Sequence, residues 1–213
     1  MVTLELRRRR LVGTCMLLGP LVMLAADVVL RAGRFEYPAD YLWTIGLQIA
    51  MVLLVGAVLG LIHVLRPAAD RTVLTAGCLA VIGLMYGFGM QVLFRARAVL
   101  YAQLDAAAWT GVEPVLFGMP MVASSVIPGL LFPIGTVTLG CVALATGRLP
   151  KPLAALLCLG AVLFPIGRIG GFWWVTIASD LCLAFALGWL GRLVNAGTPG
   201  EAVPEAPVAA QPA

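Results

Sequence analysis

Leu130-Leu131-Phe132-Pro133-Ile134-Gly135 and Val162-Leu163-Phe164-Pro165-Ile166-Gly167 repeat nearly one phrase inside the stretch from Met121 to Asp180. Each copy lies in a long apolar run, and Gly147-Arg148-Leu149-Pro150-Lys151-Pro152 makes a basic turn between them. Apolar runs of this length, joined by a proline-marked turn, read as a membrane hairpin. The rest of the chain continues the pattern. Of 213 residues, 62% are hydrophobic and 11% charged, and the mean hydropathy is +1.02. So little polar surface cannot cover a water-soluble core, which places the chain in lipid.

A hydrocarbon core of about 30 Å takes about 20 helical residues to cross, so the expected fold is an all-α polytopic bundle of about six transmembrane helices. The spans are expected near 11–30, 43–65, 72–94, 121–146, 153–167 and 172–190, forming one transmembrane domain over residues 1–194. Arg31 to Asp40 reads as a polar loop flanked by the interfacial aromatics Tyr37, Tyr41 and Trp43. Gly56 and Gly60 form a small-residue face in the second span. In the third, Gly83, Gly87, Gln91 and Arg95 recur every four residues, a contact stripe that ends in an amide and a cation. Arg97 to Trp109 suits either an interfacial helix or an extension of the third span. From Asn195 to Ala213 the Ala-, Pro- and Gly-rich composition has no periodicity and reads as a disordered tail.

Arg7 to Arg10 precede the first span. They resemble the basic region of a secretory signal, but the apolar run is long for one and Leu24-Ala25-Ala26 lacks the small residue a cleavage site needs. Six spans put both ends on one side, and that side holds nine of the fourteen Lys and Arg residues. The bias places both termini in the cytoplasm. The net charge of +4 therefore reads as a topology signal, and no nucleic-acid partner is expected.

Asp27 and Asp180 are the carboxylates expected inside spans, where each costs about 2.5 to 3.5 kcal/mol on insertion scales. Such residues take partners. Helical rise puts Asp27, Gln48, Gln91, Arg95, Arg168 and Asp180 in the outer half of the bundle. The expected arrangement pairs Asp180 with Arg168 and Asp27 with Arg95, with Gln48 and Gln91 nearby and Thr176 on the face of Asp180. This cluster is either a helix-holding set of ion pairs or a ligand site. Pro20, Pro128, Pro133 and Pro165 are expected to kink their helices, and the twin prolines flank either a cavity or a bend.

No catalytic set is expected. His63, the one histidine, reads as a helix-end residue, and alone it cannot supply both axial ligands of a membrane haem. Ser124 and Ser125 have no histidine at their depth. The five cysteines stand singly with no metal-ligand spacing, so no cofactor or metal is expected.

The run Gly147-Arg148-Leu149-Pro150-Lys151-Pro152-Leu153, followed by a glycine-containing span, resembles the C-terminal half of uncharacterised bacterial six-helix integral membrane proteins, over residues 120–190. That resemblance implies a bacterial inner membrane and no activity. The functional expectation is a non-enzymatic, structural or accessory subunit whose partners are the lipid bilayer and other membrane subunits or copies of itself. The alternative is a small-solute transporter or ligand sensor that uses the outer polar cluster.

Overall fold

The structure, a computed structural model, describes residues 2–31, 39–66 and 69–196. Tyr37 and most of its expected loop, the breaker Pro67 and the tail from 197 onward lie outside the described residues. Among those described, the chain is helical throughout: α1 (Val2–Arg31), α2 (Ala39–Leu65), α3 (Asp70–Gln103), α4 (Ala106–Phe117), α5 (Met119–Gly129), α6 (Leu131–Thr146), α7 (Lys151–Gly170) and α8 (Trp173–Ala196). Six stretches, Arg7–Val28, Tyr41–Leu65, Asp70–Gln103, Val126–Thr146, Lys151–Gly170 and Trp173–Ala196, are long and apolar enough to cross a membrane. The all-α multi-pass expectation therefore holds.

The six helices close into a ring. α1 packs on α2, α2 on α3, α3 on α6, α6 on α7, α7 on α8, and α8 returns to α1. In lipid the hydrophobic effect does not drive helix association, so close packing must, and small residues allow it. A Cβ on Gly191 would lie 2.5 Å from the carbonyl oxygen of Gly13, closing α8 against α1. On Gly167 it would lie 2.5 Å from the amide nitrogen of Thr176, and on Gly135 2.6 Å from that of Ala80. Because Gly13 sits near the start of α1 and Gly191 near the end of α8, both ends of the described chain meet at one end of the bundle, here termed proximal. The other end, where α1, α3 and α7 finish, is distal.

The Gly83–Gly87 stripe does not serve a single neighbour. Gly83 meets the backbone of Phe132 in α6, whereas Gly87 faces the Met51 side chain of α2. A position in the middle of a ring must pack both ways. Gly56 and Gly60, by contrast, both face α1, against Cys15 and against Val12 and Met16.

Several boundaries differ from the expectation. α3 runs on to Gln103, because no breaker falls between Phe94 and Leu104. At about 1.5 Å per residue it is about 50 Å long, well beyond the hydrocarbon thickness. The chain then turns at Asp105, whose side chain caps α4 by accepting from the amide of Ala108 at 2.7 Å. Trp109 in α4 is buried edge-on against Tyr101 at 5.4 Å, and Arg97 pairs with Glu113 at 2.6 Å. α7 also continues through Gly170 and stops at Gly171, whose φ of 72° is open to glycine without strain. Arg168 thus stands in the last turn of α7, not in a loop.

The twin phrases fold differently. Pro133 is the third residue of α6, and without an N–H it cannot bond the carbonyl of Gly129, where α5 ends. The bend expected at Pro133 therefore falls one turn earlier, beside Pro128. Pro165 leaves α7 unbroken from Lys151 to Gly170, and Pro20 likewise lies inside the continuous α1. Between the phrases, Phe132 and Phe164 meet edge-to-face at 5.0 Å.

Candidate functional site: a buried polar layer at the distal end

Buried polar side chains concentrate toward the distal end: Asp27 on α1, Thr44 and Gln48 on α2, Gln91 on α3, and Thr176, Ser179 and Asp180 on α8. The proximal half is apolar. Met16, Leu61, Leu65, Val73, Leu139, Leu157, Leu183 and Leu190 are almost wholly buried there and belong to one core. Sequence depth alone predicts this division, since the polar residues fall near the ends of α1, α3 and α7 and the starts of α2 and α8.

Arg168 is the hub. Its Nη1 donates to Asp180 Oδ1 at 3.1 Å and its Nη2 to Asp180 Oδ2 at 3.4 Å. Nη2 also donates to Asp27 Oδ2, so one guanidinium bridges α1 and α8 from α7. The Asp27 and Asp180 side chains are 2% and 0% exposed and that of Arg168 19%. The indole Nε1 of Trp43 donates to Asp27 Oδ1 at 2.9 Å, tying in α2. Beneath the guanidinium lies the ring of Phe164, 4.3 Å from Cζ to centroid, a position that favours a cation. Charge-assisted, multiply bonded pairs of this kind offset part of the desolvation that burial costs.

Arg95 is not the partner of Asp27. Its Cζ lies 5.5 Å from the centroid of the Tyr41 ring, and its Nε is buried without a hydrogen bond. The reason is reach: α3 does not pack on α1, whereas α2 lies between them and presents Trp43 to Asp27. Gln48 on α2 and Gln91 on α3 are both buried, and Gln91 Oε1 has no hydrogen-bond partner. Thr176 donates to the carbonyl of Phe172 at 3.3 Å and packs against Gly167, so its role here is helix contact. Among the hydroxyls, Ser179 instead crosses helices, donating to the carbonyl of Gly160 at 2.8 Å. His63 lies exposed in the last turn of α2, at the proximal end, remote from this layer.

Three contributors were not legible as site residues: Trp43, Phe164 and Ser179. Trp43 reads naturally as an interfacial aromatic, although the antiparallel register of the first two spans places it beside Asp27. Phe164 carries a plainer signal, since it precedes Arg168 by four residues on one helix face.

Chemically the layer holds two carboxylates, one bridging guanidinium, the unpaired Nε of Arg95, an indole donor and two carboxamides, and among the described residues no hydrogen bond pairs a nucleophile with a base there. Comparison of the chain with protein-family models, with curated proteins and with solved structures finds no match.

Proposed function

We propose that this chain is a non-enzymatic multi-pass protein of a bacterial inner membrane, both termini cytoplasmic, serving as a structural or accessory membrane subunit. The observation that carries the reading is the use to which its buried ions are put: Asp27, Arg168 and Asp180 join α1, α7 and α8, and Trp43 adds α2. Intramembrane charge spent on joining helices is the behaviour of a scaffold. The proximal half supports the same reading, because its buried side chains form one Leu- and Met-rich core. Extraction in mild detergent followed by native mass measurement tests it. A subunit role predicts a mass above that of the 22.4 kDa chain, through further copies or other subunits, whereas a stable monomer contradicts it.

A second reading, as a ligand sensor or small-solute transporter, draws support from the unpartnered Gln91 Oε1 and Arg95 Nε within the same distal layer. A buried polar atom lacking a partner costs about 1 to 3 kcal/mol, and a ligand in the layer would relieve it. Thermal unfolding in the presence of candidate solutes separates the two readings.

A further inference from the structure

Asp27 and Asp180 share one guanidinium. With all three groups ionised, the buried triad carries one more negative charge than positive. Arg95, a further cation at this end, stands over Tyr41 and forms no ion pair among the described residues. Arg97 and Glu113 pair with each other on the exposed α3–α4 turn and sum to zero. A net charge in a low-dielectric interior is expensive unless something neutralises it.

Hydrogen-bond donors are short as well. Two carboxylates present four oxygens with about eight acceptor sites, and the bonds they receive come from Arg168 and Trp43. The hydroxyls nearby give their protons to main-chain carbonyls: Thr44 to Tyr41 at 2.8 Å, Thr176 to Phe172 at 3.3 Å and Ser179 to Gly160 at 2.8 Å. None of these three hydroxyls serves the carboxylates.

Gln91 supplies an independent sign. Its side chain is 8% exposed, and its Oε1 is an acceptor with no donor. Its level is fixed by contacts on either side. One turn distal, Phe94 packs on Trp43 at 6.4 Å, and Trp43 in turn donates to Asp27. One turn proximal, Gly87 faces Met51, so Gln48 occupies the same stretch of the α2–α3 seam as Gln91. The triad therefore carries a net negative charge, and its carboxylate oxygens, like Gln91 Oε1, keep acceptor capacity that the bonds described above leave unfilled. At the triad an anion would add to the negative charge and a neutral acceptor to the unfilled acceptor sites, whereas a bare positive charge offsets both.

We propose that the distal polar layer is a binding site for one monovalent inorganic cation, a proton or an alkali-metal ion, seated on the Asp27 and Asp180 carboxylates with Gln91 Oε1 as a neutral oxygen donor. A proton arriving from the distal aqueous side leaves an O–H bond of hydronium, releasing water, and forms one O–H bond with a carboxylate oxygen. An alkali-metal ion exchanges hydration oxygens for carboxylate and carboxamide oxygens, the ligands hard cations take. Arg168, the triad member with measurable exposure, marks the approach. This site goes beyond a scaffold role, which needs no cation.

The test uses the full chain in detergent, with two readouts. Infrared difference spectra across a pH titration report the carbonyl stretch of a neutral carboxylic acid. Thermal unfolding in sodium or potassium chloride, against choline chloride at equal ionic strength, reports an alkali-metal ion. A proton site gives a titrating acid band that is lost in Asp27→Asn or Asp180→Asn, with unfolding indifferent to the cation. An alkali site gives no such band but a higher unfolding temperature in sodium or potassium, and either substitution removes the increment. Wild-type protein with neither response overturns the proposal. Gln91→Met, which removes the orphan oxygen at similar volume, guards against misfolded Asp variants. It shifts the titration midpoint or weakens the cation response, and an unchanged response in that variant also overturns the proposal.

Discussion

Arg168 is the residue on which the distal end depends, and its variants should rank in a way that separates clamp from bystander. Arg168→Met strands two carboxylates that are nearly fully buried, a loss of about 3 to 5 kcal/mol. Asp27→Asn or Asp180→Asn leaves a one-to-one pair and should cost distinctly less. Reversible unfolding from mixed micelles measures the order, and equal losses in all three variants would contradict the bridging geometry. The pairing of Arg168 with Asp180 was open to reading from sequence, because both sit close to the turn between the last two spans. The attachment of Asp27 was not. It depends on α8 returning to α1, a contact between the two ends of the chain that no local spacing reports, and on α2 standing between Asp27 and Arg95.

At the scale of elements, glycine and proline decide where helices touch and where they stop. A Cβ on Gly167 collides with the backbone of Thr176, whereas one on Gly89 meets nothing within 4 Å. Gly167→Val should therefore prise α7 from α8 and lower the yield of folded protein in detergent, while Gly89→Ala is tolerated; fluorescence-detected size exclusion reads the contrast. The two Phe-Pro-Ile-Gly phrases show why a repeated motif does not imply repeated structure. Upstream of Pro133 lie Pro128 and Gly129, weak helix formers, and the helix breaks. At the equivalent positions upstream of Pro165 stand Gly160 and Ala161, with no second proline, and the helix runs through. The α3–α4 hairpin is a separate case. Its exposed Arg97–Glu113 pair contributes less than about 1 kcal/mol, so Glu113→Gln should leave hydrogen exchange in α4 unchanged. Trp109→Ala, which empties the contact with Tyr101, should accelerate exchange across α4 at least tenfold, the effect of about 1.4 kcal/mol of lost protection.

For the whole molecule, composition and apolar run length were enough to reveal six spans, because the bilayer imposes one length on every crossing. Their order in the ring was not legible, since lipid-facing and helix-facing positions are both apolar and periodicity fades in consequence. What the structure adds is closure: the first helix packs on the last, which brings Asp27 to Arg168 and makes the distal polar layer a single unit. That closure is the central claim, and one cross-linking measurement tests it most directly. A Cβ at Gly188 would lie 3.4 Å from Cδ1 of Leu17 and meet no other atom within 4 Å, so α8 accepts a side chain there and thiols at the two positions lie within reach of a short bifunctional cross-linker. With the native cysteines replaced by alanine, Leu17→Cys together with Gly188→Cys should form an intramolecular bond in native membranes on treatment with a short bis-maleimide, seen as a faster-migrating monomer on denaturing gels. Absence of that bond, or cross-linking only between chains, would contradict a closed ring and the bridging role of Arg168 with it.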